Sequence, residues 1–223
     1  MAQHIIKIES IDQITHDVLR FKTEKPKNYN FEPGQATRVS INKERWEKEK
    51  RPFTFTNLPD DDYLEFTIKV YPHHKGVTNE LLTLKPNDEL IIGDAWGTIS
   101  YKGEGVFITG GAGVTPFISI FRYLHAKNEL GNSKLLFANK TAADIIHNDE
   151  FKDMLGQNFV NILSKEEVEG FEHGWITENF LKKHGINDYE YVYLCGPKPM
   201  MESIEEQLLK LNVKKESIVK EEF

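Results

Sequence analysis

Cysteine is nearly missing from this chain of 223 residues: Cys195 stands alone. An internal disulfide is thereby excluded, and so is an iron-sulfur cluster held by thiolates of this chain. Also lacking is any apolar run near the ~20 residues that a membrane-spanning helix needs. The opening residues, Met1 to Lys7, have neither the basic end nor the long apolar centre of a secretion signal. The expectation is a cytoplasmic protein with no membrane span. The positive balance that nucleic acids require is lacking too. Formal net charge is −7, with 15 Lys and Arg against 16 Asp and Glu in residues 1–102, and 13 against 19 in residues 103–223. His73 and His74 adjoin without a carboxylate or cysteine at ligand spacing, so they read as surface histidines and no metal site is expected. Lys43, Arg45, Lys48, Lys50 and Arg51 alternate with Glu44, Glu47 and Glu49, the pattern of a solvated loop or a docking face for a charged partner.

What is there suffices for a real core, at 39% hydrophobic residues. The first hundred residues repeat short β-like runs between turn signals: Ile5 to Ile8, Val18 to Lys22, Ala36 to Ile41, Phe53 to Thr56, Leu64 to Val70 and Glu89 to Ile92. That spacing predicts an antiparallel barrel. One helix is expected among them, Asn79 to Leu84, opened by Thr78 after Gly76. Its start offers backbone donors at Gly76, Val77 and Thr78 to a pyrophosphate, a role compatible with plugging the barrel bottom.

After Gly103 the pattern alternates between strand and helix. Strands are expected at Val106 to Thr109, Lys134 to Ala138, Val160 to Leu163, Tyr191 to Leu194 and Ser217 to Glu222. Helices are expected at Pro116 to Leu130, Asp149 to Leu155, Ile176 to His184 and Lys198 to Leu211. Alternation of this kind implies a parallel sheet covered on both faces, with ligands at the carboxyl ends of its strands. Two domains follow, residues 1–102 and 103–223.

Two stretches ask for phosphate-bearing ligands. Gly110-Gly111-Ala112-Gly113-Val114-Thr115-Pro116 lies between a strand and a helix, where glycine permits positive φ and close ligand approach, Thr115 can cap the helix and Pro116 suits its first turn. The helix start then presents N–H groups and a dipole to an anion. Pro116 stands where a Gly-x-Gly-x-x-Gly fingerprint has its third glycine, and no acidic residue ends the next strand, which disfavours an ordinary dinucleotide dehydrogenase. In Arg51-Pro52-Phe53-Thr54, Arg51 brings a planar fork of donors for a phosphate, Phe53 a flat apolar face and Thr54 a hydroxyl. The same four residues read equally as an exposed arginine leading into a strand whose Phe53 and Phe55 face the core. Trp46 and Trp96 read as packing aromatics that would also suit the border of a ring ligand.

With Pro33-Gly34-Gln35 and Cys195-Gly196-Pro197-Lys198-Pro199-Met200, these marks fall in one order along nearly the whole chain, and that order resembles the ferredoxin-NADP+ reductase family of flavin-dependent reductases. The resemblance implies an N-terminal Greek-key β-barrel for FAD and a C-terminal α/β domain for NADH or NADPH. Arg51 would then lie on the flavin diphosphate, Phe53 against the isoalloxazine and Thr54 beside flavin N5, with Pro52 between them in the same cofactor-binding stretch, and Gly76, Val77 and Thr78 around the FAD pyrophosphate. Gly110, Gly111, Gly113, Val114, Thr115 and Pro116 would form the nicotinamide dinucleotide loop, with Gly196, Pro197 and Met200 beside the nicotinamide. Cys195 would orient the nicotinamide near its C4 carbon or serve only in packing. The terminus Lys220-Glu221-Glu222-Phe223 is similar to the family's Glu-x-aromatic ending, so Phe223 would cover the flavin and Glu221 assist proton balance. A frayed end is the other reading.

Asn139-Lys140-Thr141-Ala142-Ala143-Asp144-Ile145-Ile146 resembles the segment of NADH-using cytochrome and nitrate reductases, which favours NADH, although Lys140 and Lys165 are cations within reach of a 2′-phosphate. The activity implied is hydride transfer from nicotinamide to FAD, then electron delivery to a separate acceptor such as a ferredoxin, a flavodoxin or a cytochrome, since one cysteine and 223 residues leave no place for a fused iron-sulfur or haem domain. Two alternatives stay open: a flavin or ferric reductase that uses diffusible flavin, and a non-catalytic flavin-binding electron-transfer subunit.

Overall fold

The computed structural model describes residues 3–97 and 99–220. Glu221 and Phe223, to which the family resemblance gives roles, lie outside the described residues.

A first sheet has six antiparallel strands, β1 (His4–Thr15), β2 (Val18–Glu24), β3 (Ala36–Ile41), β4 (Arg51–Thr54), β5 (Tyr63–Lys69) and β6 (Glu89–Ile92), in the order β4-β3-β6-β1-β2-β5. β1 is far longer than the apolar run that announces it. Its first residues pair with β6 and the remainder with β2, with register shifts at Ile8/Ser10 and Gln13/Thr15, so one strand bends from one partner to the next and coils the sheet. An isolated bridge between Phe55 and Phe66 joins the β4 end to β5 and completes the barrel. Alternate residues Ile6, Ile8, Val39, Ile41, Leu90 and Ile92 point inward beside Phe21, Phe55 and Phe66, all at or below 1% exposure.

β4 starts two residues earlier than Phe53, at Arg51, because Val39 pairs with Arg51 and Ala36 with Thr54. Pro52 is tolerated there since β4 ends the ladder and needs no second set of partners. Helix α1 (Val77–Glu80) is likewise displaced from Thr78: Gly76 is its N-cap, and Val77 and Leu81 drop their side chains into the barrel floor.

A second sheet has six strands, β7 (Gly105–Gly110), β8 (Lys134–Asn139), β9 (Phe159–Leu163), β10 (Glu172–His173), β11 (Tyr191–Cys195) and β12 (Ile218–Lys220), all parallel in the order β10-β9-β8-β7-β11-β12. Every residue of β7 is buried because both faces are covered. Phe107, Leu135, Phe137 and Tyr193 meet α2 (Thr115–Ala126) and α3 (Asn148–Leu155), whereas Val106, Ile108, Leu136, Val192 and Leu194 meet α4 (Glu178–Lys183) and α5 (Lys198–Lys210). α2 stops at Ala126, short of the expected Leu130, because Asn128 takes a left-handed φ of 56° and the Glu129 amide turns back to the Leu124 carbonyl. Thr177 caps α4 by accepting the Phe180 amide, so that helix starts after Ile176.

The two bodies meet along a seam with an apolar and a polar part. Val18 and Ile99 are buried in the same cluster as Phe117 and Phe121 of α2. Beside them Arg122 donates from Nη1 to the Thr56 carbonyl and to Glu65 Oε1, each at 2.7 Å, and grips Glu150 through Nε and Nη2. Burial pushes the Glu150 carboxyl up, but the Arg122 bonds and charge outweigh it and hold it below its usual range. Burial also holds the neighbouring His147 below 6.5, against the pull of Glu150. Below that value the unfolded chain takes up a proton that folded His147 refuses, and lower still the Glu150 contribution is lost as pH falls through its depressed folded value. Both effects have one sign. Melting temperature is therefore expected to fall from about pH 6.5 downward and more steeply below about 4.5, the ordinary values of the two groups. His147→Gln should flatten the first limb in a pH series of thermal melts, and an unchanged limb would refute the assignment.

Candidate functional site

The carboxyl ends of β7, β8, β9 and β11 open into a cleft of ≈ 1000 Å³ whose opposite wall is the barrel. From the barrel come Ala36, Pro52, Thr54, Lys69 and Tyr71; from the second sheet come the turn after β7, the β8 and β9 ends, and the loop after β11. β7 has β8 on one side and β11 on the other, so the loops that follow it diverge and leave the crevice between them.

The glycine turn is tighter than its sequence announces. Gly111–Val114 already coil as one turn of 3₁₀ helix that runs into α2, so Val114 is the N-cap. Thr115 is the first α-helical residue and donates its hydroxyl back to the Ala112 carbonyl at 3.1 Å, which corrects the capping role expected of it. Gly113 lies against the β11 loop: a Cβ there would stand 2.5 Å from the Cys195 carbonyl oxygen and 2.5 Å from Gly196 Cα. Gly111 is the opposite case, with φ +53° and nothing within 4 Å of a Cβ, so its cleft side is open. Gly110, Pro116, Cys195, Gly196, Pro197 and Met200 complete this wall, while Val114 is fully buried beneath it.

At the β8 end, Asn139 is 8% exposed and lines the cleft, yet neither its Oδ1 nor its Nδ2 meets a partner among the described residues. A buried amide left in this state costs about 1–3 kcal/mol, which a ligand bearing donors and acceptors would recover. Lys140 and Lys165 stand beside it, joined by a backbone bond of 2.9 Å. Asp144 shares the lining: burial pushes its carboxyl up, but bonds from the Thr141 hydroxyl and amide at 2.7 and 2.9 Å, with Lys69 and His16 nearby, hold it below the usual range. Ligand atoms of His16, Asp17 and Asp144 lie within 4.8 Å of one another, with the Lys69 ammonium 2.7 Å from Asp17 as countercharge.

Other expected residues are distributed differently. Alternation along β4 turns Pro52 and Thr54 toward the cleft and leaves Phe53 half-buried against the barrel core, as the packing alternative for that residue has it. Arg51 is exposed at the start of the strand, within 3.5 Å of Glu49. Gly76, Val77 and Thr78 do not line the cleft. His73 and His74 are exposed, His74 stacking on Tyr71 at 5.4 Å, and Trp46 packs on the barrel while Trp96 pairs its backbone with Ala36. Sequence reasoning missed Lys69, Tyr71 and Trp175 as cleft residues and named Asp144 only as part of the segment after β8; Trp175, 76% exposed after Gly174, carried the one legible signal, a glycine before an aromatic at a helix start.

The donor set fits a dinucleotide on the second sheet and a flat ring against β4: an open glycine, an unmet buried amide and cations lie at one end, and a proline and a hydroxyl at the other. Among the described residues no helix is long and apolar enough to cross a membrane.

Comparison with known proteins agrees with this geometry. Residues 3–93 match the family model described as an FAD-binding domain, and residues 107–206 match the one described as an oxidoreductase NAD-binding domain. The chain is 30% identical over 220 residues to the reductase component of propane 2-monooxygenase from Mycolicibacterium goodii, covering 88% of this chain and 61% of that one. It is 27% identical to NADH-cytochrome b5 reductase 2 of Candida glabrata, covering 91% and 74%. The cytochrome b5 reductase domain of Ulva prolifera nitrate reductase shares the fold, with a TM-score of 0.85 at 19% identity over 98% and 97% of the two chains. The chain spans 48% to 61% of the length of the first curated relatives it matches.

Proposed function

We propose, from the premise that this chain joins an FAD-binding domain to an oxidoreductase NAD-binding domain in the manner of the ferredoxin reductase-type flavoproteins, that it oxidises a reduced nicotinamide dinucleotide and passes the electrons to a separate acceptor. The observation that carries the proposal is that Thr54 of the barrel and the glycine turn of the second sheet line one and the same cleft. The acceptor class that the relatives support is an oxygenase component or a cytochrome. We place the domain boundary at residues 102 and 103 and the protein in the cytoplasm.

Bound between these walls, the flavin supplies the exchange between two-electron and one-electron chemistry. The chain supplies position. Thr54 offers its hydroxyl to a ring nitrogen, and Pro52 gives an apolar surface beside it. Arg51, exposed at the strand start, reaches for the diphosphate, with the Val77 and Thr78 amides as further donors. The turn from Gly110 to Pro116 receives the dinucleotide phosphates, the Asn139 amide and Lys140 hold its ribose end, and Cys195, Gly196, Pro197 and Met200 wall the nicotinamide. An ionised Asp144 in the same lining favours ribose hydroxyls over a 2′-phosphate, so NADH is the preferred reductant.

Anaerobic mixing of the purified yellow protein with NADH, followed at the flavin absorbance, tests this reading: rapid bleaching supports it, and no bleaching by either NADH or NADPH refutes it. A protein purified without colour that reduces added flavin would instead fit a diffusible-flavin reductase. Arg51→Ala is expected to weaken FAD retention by about tenfold or more, the scale of one charge-assisted bond. Flavin content after prolonged dialysis reads this, and full retention would remove Arg51 from the site.

A further inference from the structure

We propose that Arg122 and Ser119 are positioning residues that set the separation of the flavin and nicotinamide subsites, by fastening the helix that opens at the glycine turn to the backbone that continues β4. The inference rests on the function proposed above.

α2 begins at Thr115, so its first turn is part of the nicotinamide wall. Ser119 and Arg122 lie three residues apart and hence on one face of that helix. Neither lines the cleft. Ser119, fully buried, donates its hydroxyl to the Asn57 carbonyl at 2.8 Å, and Arg122 donates to the Thr56 carbonyl at 2.7 Å. Those two carbonyls follow Thr54 by two and three residues, so a short and fully bonded path connects the two walls of the site.

The barrel end of that path is itself held. Thr56 donates its hydroxyl to Glu65 Oε1 at 2.8 Å and its amide to the Glu65 carbonyl at 2.9 Å, and Asn57 Oδ1 accepts the Glu65 amide at 2.9 Å. Arg122 also bonds the Glu65 carboxylate, which is 5% exposed, and on its other edge takes Glu150 of α3 in a two-pronged grip. One planar fork thus spans both bodies, which a lysine ammonium cannot reproduce. Since an error of about 1 Å between reacting groups costs roughly a hundredfold in rate, this path has the reach to control turnover without touching a ligand.

The test uses FAD-loaded wild type, Ser119→Ala and Arg122→Lys with three readouts: calorimetric affinity for ADP-ribose, the long-wavelength absorbance band that arises when NAD+ stacks on reduced flavin, and the flavin reduction rate at saturating NADH. Expected are ADP-ribose affinities within about twofold of wild type, a diminished band in both variants, and rates lowered about tenfold for Ser119→Ala and about a hundredfold for Arg122→Lys. Unchanged rates and bands would overturn the inference, as would ADP-ribose affinity falling in step with the rates. If Arg122→Lys does not fold or load flavin, Ser119→Ala decides. If NADH fails to reduce even the wild type, the proposed function falls, and scanning calorimetry still reads the fastening: one unfolding transition in wild type that splits into two in the variants supports it, and one transition throughout overturns it.

Discussion

Gly113→Ala lowers the rate of flavin reduction by NADH by about a hundredfold or more, while the protein still folds and retains FAD. The added methyl would sit 2.5 Å from both the Cys195 carbonyl oxygen and Gly196 Cα, and 2.7 Å from the Gly196 nitrogen. These are backbone atoms, with no flexible side chain to swing aside. The turn after β7 and the loop after β11 must therefore separate, and both line the cleft where the nicotinamide subsite is proposed. Overpacking of this kind also costs about 1–3 kcal/mol, visible as a lower melting temperature. Gly111→Ala is the informative companion. Its Cβ meets nothing within 4 Å, so the loops stay together and the loss of rate comes from the φ of +53° and from the space taken from a ligand. Stopped-flow rates and melts on both variants separate these causes, and a wild-type rate in Gly113→Ala would show that the contact of the two loops is immaterial.

Thr54→Val should cut the same rate by about tenfold to a hundredfold while leaving affinity for ADP-ribose unchanged, because it removes one preorganised donor and keeps the side-chain shape. Thr54 is turned into the cleft by the β4 pairing of Ala36 with Thr54, so its hydroxyl is aimed by the ladder and needs no flexible loop to place it. Thr54→Ser keeps the hydroxyl and should retain most of the rate. Equal rates in all three proteins would take Thr54 out of the chemistry, and a parallel loss of ADP-ribose affinity would mark the effect as general damage.

How much of this was legible follows from how local each signal is. Ala36–Ile41 and Glu89–Ile92 are strands over the very residues expected, since each is a short apolar run between turn residues. β1 ran on to Thr15 unseen because its second half is held by pairing with β2 and has no apolar run of its own. The glycine turn and the Cys195-Gly196-Pro197 loop were readable as ligand sites, but their mutual contact at Gly113 was not, for it joins residues some eighty positions apart. In the Arg51 to Thr54 stretch, the family resemblance pointed to a flavin; which residues face the cleft depends on strand register, and register put Phe53 on the barrel side. Lys69 and Tyr71 reach the cleft from the end of β5, across the seam, which no window along the chain can display.

One stretch of backbone, from Ile92 to Gly105, passes between the two sheets, and Tyr193 secures its far end by accepting the Lys102 and Gly103 amides at its phenol oxygen. The facing of the two halves is thus written in the seam contacts more than in the covalent tether. Chimeras that graft a foreign nucleotide half onto this barrel should keep their alignment when the tether is lengthened, provided the graft brings a serine to meet the Asn57 carbonyl and an arginine to meet the Thr56 carbonyl.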